Sequence, residues 1–194
     1  ANGLTVTNCR FLGNEANATA DSQGGAALLG GGTMDTAFVN CDISGNKAIN
    51  YSGVLDADGD VRFTNCSLAG NSAGDLGGIT ILFDGDSVAF ENCILWDNYA
   101  IGSGNDVYVN TGTATANNSL FDSTQSIGAL TGSGNLSDNP LFIDANGPDN
   151  VYGTEDDDLT LQSGSPAVDA ASSSATGYLT KDLLGKTRYG PAAD

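Results

Sequence analysis

The sequence predicts an all-β protein, a parallel β-solenoid of about five coils followed by an irregular C-terminal segment. Three observations predict it. A short phrase recurs along the first two-thirds of the 194 residues as VTNCRFLGN (6–14), FVNCDISGN (38–46), FTNCSLAGN (63–71) and FENCILWDN (90–98). Apolar and polar positions alternate within that phrase, which is the period of a strand with one face in and one face out. The composition favours turns over helices: Asp outnumbers Glu by 21 to 3, there are 27 glycines, and Asn, Ser and Thr are abundant.

The repeat justifies each element in turn. Successive cysteines are 32, 25 and 27 residues apart, and 26 more reach Ser119 in a degenerate fifth copy, ANNSLFDST (116–124). Each phrase is followed by a Gly-rich corner and a second apolar stretch, such as GGAALLGG (24–31) or GGITILFDG (77–85). A unit this short cannot bury its own apolar face, so units must stack. Aligned on the cysteine, Val6, Phe38, Phe63, Phe90 and Ala116 form one inward column. Leu4, Thr36, Val61, Val88 and Ala114 form a second, and Phe11, Ile43, Leu68, Leu95 and Phe121 a third.

Two asparagine columns accompany them. One holds Asn8, Asn40, Asn65, Asn92 and Asn118; the other holds Asn14, Asn46, Asn71 and Asn98 and ends in Thr124. Asn tolerates the left-handed backbone of a corner, and its amide can bond its counterpart one coil away. These columns read as structural ladders. The four cysteines lack a C-x-x-C pair and there is no histidine, which argues against a metal site. Stacked at the interstrand spacing of about 4.8 Å, they sit slightly too far apart for a disulfide and read as buried, reduced thiols acting as small apolar fillers. Vertical pairing such as Cys9–Cys41 is the alternative.

Residues 3–130 resemble the right-handed parallel β-helix repeat proteins, whose coils carry the same V-x-N-x-x-I-x-x-N pattern. The resemblance implies the handedness. It says little of activity, because lyases, hydrolases and adhesins share the scaffold.

The repeat is expected to stop near residue 130, giving coils over 1–130 and a C-terminal segment over 131–194 packed on them. Asp144, Asn146, Asp149, Asp156, Asp157 and Asp158 crowd a loop turned by Gly147, Pro148 and Gly153. Oxygen donors on a turning loop suit Ca²⁺, which takes 6–8 of them. The expected ligands are the side chains of Asp144, Asn146, Asp149, Asp156 and Asp158, with the backbone carbonyl of Val151. The order D-x-N-G-x-D is not that of an EF-hand, and a solvated acidic loop is the plain alternative. The phrases NPLF (139–142), LTLQSGSPAVDA (159–170) and KDLLGKTRYGPAAD (181–194) resemble the choice-of-anchor Q segment of extracellular bacterial and archaeal β-helix proteins. That resemblance implies export and cell-surface association, although the I-G-A-x-E strand that usually follows is missing. Residues 4–14 already make a full coil without a preceding cap, so the expectation is a fragment or a head-to-tail homopolymer.

Composition narrows function. With six Lys+Arg against 24 Asp+Glu and a net charge of −18, nucleic acid and anionic membrane surfaces are excluded as partners. No apolar run is long enough to insert into a membrane, and the lack of histidine removes His-dependent catalysis and imidazole-held zinc. Arg10, Lys47 and Arg62 are the repeat's only cations for holding a uronate, and Arg10 and Arg62 fall in different columns. Asp56, Asp58 and Asp60, or Asp84 and Asp86, could pair as glycosidase carboxylates, but beside Gly they read as turn residues. No catalytic residue is assigned. Trp96 should face outward, with Tyr99 following it; exposed aromatics can stack on sugars or fill a protein interface, and packing under a local loop is the equal alternative. The expectation is a secreted, non-enzymatic structural protein of the cell surface, a filament or adhesin subunit stabilised by Ca²⁺ and meeting other copies or surface glycans. The alternative is a polysaccharide-active or polysaccharide-binding β-helix.

Overall fold

The computed structural model describes residues 3–17, 25–29, 35–57, 59–82, 86–122 and 130–188. The first repeat contributes β1 (Leu4–Thr7), β2 (Arg10–Leu12), β3 (Glu15–Ala16) and β4 (Ala27–Leu29). The second contributes β5 (Thr36–Val39), β6 (Asp42–Ser44), β7 (Lys47–Ala48) and β8 (Leu55–Ala57). The third gives β9 (Val61–Thr64), β10 (Ser67–Ala69), β11 (Ser72–Ala73) and β12 (Thr80–Leu82), and the fourth β13 (Ser87–Glu91), β14 (Ile94–Trp96), β15 (Tyr99–Ala100) and β16 (Val107–Val109). The fifth gives β17 (Thr113–Asn117) and β18 (Leu120–Phe121), before the C-terminal pair β19 (Phe142–Asp144) and β20 (Asp158–Leu161).

The first strands of the repeats pair in chain order as one parallel sheet, β1-β5-β9-β13-β17. Second, third and fourth strands build three more parallel sheets in the same way. The described residues are therefore all-β, without a helix or a closed barrel, in an arrangement compatible with a β-solenoid.

Register matches the three apolar columns. Val6 pairs with Phe38, Phe38 with Phe63, Phe63 with Phe90, and Phe90 with Ala116. Phe11, Ile43, Leu68, Leu95 and Phe121 follow each other likewise. Like lies on like in the core. The rings of Phe38, Phe63 and Phe90 stack with centroids 5.1 and 5.2 Å apart, and Phe11 meets Phe38 edge-on at 6.0 Å.

Asn8, Asn40, Asn65, Asn92 and Asn118 end the first strands with φ between 48° and 58°, the left-handed corner their column implied. In the second column the amides form a ladder: Asn14 donates to Asn46 (2.8 Å), Asn46 to Asn71 (3.0 Å) and Asn71 to Asn98 (3.0 Å). Thr124, the expected end of that column, lies outside the described residues, as do Asp58 and Asp84.

The four thiols are unbridged, with Cys9 half-buried and the others buried. They are more than apolar filler. Cys66 Sγ accepts the Cys41 N–H at 3.4 Å and lies 3.3 Å from the Thr64 carbonyl. Ser119 takes the same place in the fifth repeat, its hydroxyl accepting the Cys93 N–H at 3.0 Å and donating to the Asn117 carbonyl at 2.9 Å. The column thus selects a small side chain that can bond the corner backbone. Burial pushes the Cys66 thiol up, and the bond with Cys66 followed by burial does so for Cys41.

The structure differs from simple alternation on β5, where all four residues are buried. The C-terminal segment lies against the outer face of this sheet, with Gly177 next to Val39 of β5. Thr64 Oγ1 donates to the Thr176 carbonyl (2.8 Å), the Thr176 N–H donates to Glu91 (2.9 Å), and Ser172 and Asn92 exchange bonds of 2.8 Å. Pairing also runs past residue 130: Thr131 bridges to Thr115 and Leu136 to Leu120, both parallel.

Candidate functional site: an acidic loop seated on a glycine column

In the first four repeats the corner after the second strand also holds a left-handed residue. Gly13, Gly45, Gly70 and Asp97 fill it with φ of 58°, 64°, 62° and 53°. Three of the four lack a side chain, which leaves a shallow trough along the repeats. The loop between β19 and β20 lies in it. A Cβ on Gly13 would come within 2.7 Å of the Gly153 carbonyl oxygen; one on Gly45 would strike the Tyr152 backbone, and one on Gly70 the Tyr152 ring. Tyr152 ends the row by donating its hydroxyl to Asp97 at 2.8 Å. Burial and the Asp97 carboxylate both push the Tyr152 hydroxyl above its ordinary pKa.

The same loop brings carboxylates together. Oxygens of Asp149, Asp156 and Asp157 all lie within 4.8 Å of one another. Two ligands of one Ca²⁺, each at about 2.3–2.6 Å, fall within such a distance. The Gly153 and Thr154 N–H groups donate to Asp157 Oδ2 at 2.6 and 3.3 Å, which fixes that carboxylate. Thr154 Oγ1 lies 2.6 Å from Asp156, 3.2 Å from Asp157 and 3.3 Å from the Val151 carbonyl, so that carbonyl stands beside the cluster. The Thr154 bond holds the Asp156 carboxyl below its usual range.

Of the expected ligands, then, the structure gathers Asp149 and Asp156, with the Val151 carbonyl near them. Asp144 and Asp158 pair across β19 and β20, outside that cluster, and the Asp158 carboxylate accepts the Thr160 N–H at 2.9 Å. The Asn146 carbonyl takes the Val151 N–H at 2.9 Å, closing the turn. Asp157 joins the cluster in place of Asp158 because residues 154–157 make a turn, where neighbours can face one way. Thr-x-x-Asp at 154–157, with two backbone donors aimed at the Asp, is the signal that could have found it.

Arg10 also ties the loop down, bonding Asp42 at 3.0 Å and Glu155 at 3.3 Å. Burial pushes the Asp42 carboxyl up; Arg10 and Ser44 pull it back, and Asp157 adds to the rise. Arg62 sits on β9 beside Ala37 and Ala89, in a different sheet from Arg10 on β2. Asp60 accepts both the backbone N–H and the hydroxyl of Ser87, at 3.0 and 2.7 Å, as a turn residue would. Trp96 is half-buried and Tyr99 exposed.

Comparison with protein-family models, curated proteins and solved structures gives no match. No helix among the described residues is long and apolar enough to cross a membrane.

Proposed function

We propose that the chain is a right-handed parallel β-helix with a non-enzymatic structural role outside the cell, as a surface or filament element stabilised by Ca²⁺. The observation that carries this reading is the continuity of matched layers. The phenylalanine stack, the Asn ladder and the Cys/Ser corner bonds all run from repeat to repeat in register. A further repeat, in this chain or in a second copy, would extend each layer without new chemistry. The acidity keeps such a surface soluble and responsive to divalent cations.

Negative-stain microscopy tests the structural role, run beside a turnover screen on pectin, alginate and related glycans. Rods or filaments without turnover are expected; monomers that cleave a glycan overturn the reading. The cation is tested separately by thermal melting. Ca²⁺ should raise the melting temperature, in line with a gain of about 2.7 kcal/mol at a hundredfold excess over Kd. Asp157→Asn should remove the response. A melting curve indifferent to both Ca²⁺ and chelator would dismiss the cation and leave the scaffold reading standing.

A further inference from the structure

A groove of about 500 Å³ runs between the second-strand sheet and the C-terminal segment. Its floor is one register column, Arg10, Asp42, Ser67, Ile94, Leu120 and Leu136. Strand spacing sets these residues about 4.8 Å apart. The floor therefore changes along a straight line from charged to hydroxyl to aliphatic. Leu159, Leu161 and Ala170 line the groove from the C-terminal segment.

Two donors in the lining residues are buried without a partner, Asn65 Nδ2 and Arg188 Nε. Asn65 is only 7% exposed. Buried donors are nearly always satisfied. Arg188 spends one nitrogen on the neutral Asn40 Oδ1 at 2.6 Å, and among the described residues no carboxylate pairs with it, whereas Arg10 is held by Asp42 and Glu155. The four carboxylates among the described lining residues are already engaged. Asp42 takes Arg10, Asp157 takes the Gly153 N–H, Asp158 the Thr160 N–H and Asp182 the Lys186 N–H. Arg188 is anchored on Asn40 and the Asn65 oxygen takes the Asn92 amide, which leaves one open N–H donor on each in the lining of the same groove, and two donors suit an acceptor with two oxygens. Among the described residues the lining holds no aromatic ring on which a pyranose could stack.

We propose that this groove binds an aliphatic carboxylate. The head accepts from Arg188 and Asn65, and the chain lies along Ile94, Leu120 and Leu136. From the level of Asn65 to that of Leu136 is three strand spacings, about 14 Å, which suits a medium-length chain.

Decanoate, below its micelle concentration, is the probe, titrated calorimetrically into the full chain. Saturable one-site binding is expected. Decanol, which lacks the head, should bind roughly tenfold more weakly, and glucuronate, which lacks the tail, should give no heat. Arg188→Met should weaken decanoate by roughly tenfold, and Ile94→Asp should abolish binding. If either variant loses its circular dichroism, the wild-type protein still decides. The Asn65 side-chain amide and Arg188 Nε–H resonances should shift with decanoate. No saturable binding, parity with decanol or glucuronate, or unmoved resonances would each overturn the proposal.

Discussion

Replacing Asn71 with Ala should cost about 2–6 kcal/mol. Asn71 is fully buried in the middle of its ladder. Its Oδ1 accepts both the backbone N–H and the side-chain N–H of Asn46 at 3.0 Å, and its Nδ2 donates to the Ile43 carbonyl (2.9 Å) and to Asn98 (3.0 Å). Truncation strands two buried donors of Asn46, at about 1–3 kcal/mol each. The Asn98 carbonyl still has the Asn71 N–H at 3.1 Å and suffers less. Asn14→Ala is the internal control. Asn14 is exposed and only donates, so the Asn46 oxygen keeps the Asn14 N–H at 3.1 Å and the loss is about 0.5–1.5 kcal/mol. Neither residue has a left-handed backbone, so Ala adds no strain. Urea unfolding followed by circular dichroism reads both variants against wild type. If the two lie within about 0.5 kcal/mol of each other, the resolution of additivity, the ladder contributes nothing beyond a single exposed bond and the reasoning fails.

Gly70→Ala should destabilise by at least about 1–2 kcal/mol from the left-handed backbone alone, with the Tyr152 ring displaced besides; Gly164→Ala, with open space around it, should be silent. Equal urea midpoints for the two would refute the trough. A thiol reagent should label only Cys9 in the native protein and all four cysteines in denaturant, because the other three are buried and the Cys41 and Cys66 thiols are held protonated; native labelling of three or more would contradict this. Asp42, raised on folding chiefly by burial, binds its proton more tightly in the native state. Its contribution to stability is therefore greatest at low pH and falls as pH climbs past the ordinary 3.8 towards the raised value. Asp42→Asn should remove that fall, so wild-type and variant urea midpoints should diverge between about pH 3 and pH 7; parallel curves would sink the assignment.

What could be read in advance is whatever repeats. Asn8 and its four counterparts sit one residue before the Cys/Ser column, and a residue tolerant of αL at a fixed step is a corner by local chemistry alone. Phe38, Phe63 and Phe90 needed only their spacing to be placed on top of one another. The C-terminal segment offers no such period. Ser172 meets Asn92 across 80 residues, and Thr176 meets Thr64 across 112, through single bonds that no local pattern announces. For the same reason alternation on β5 misleads: Val39 faces outward from its strand yet is buried, with the distant Gly177 lying against it. The acidic loop falls between these cases. Its richness in oxygen donors is plain, but choosing between Asp157 and Asp158 requires knowing where the turn ends and β20 begins.

The glycine trough shows how one local demand comes to serve a distant contact. In the first four repeats the corner after the second strand holds a left-handed residue, and Gly meets that demand with least strain. Gly13, Gly45 and Gly70 meet it and, having no side chain, leave room for the Tyr152–Gly153 backbone and the Tyr152 ring. In the fourth repeat the demand is met by Asp97 instead. There the backbone remains left-handed, but the side chain is no obstacle, because the loop arrives at that level with a hydroxyl rather than with its backbone, and the carboxylate accepts it at 2.8 Å. The break in the glycine column thus marks the far end of the loop's seat. Because Tyr152 lies only a few residues from Asp149, Asp156 and Asp157, the same seat fixes where those carboxylates gather. Any cation held there would be anchored to the register of the repeats themselves.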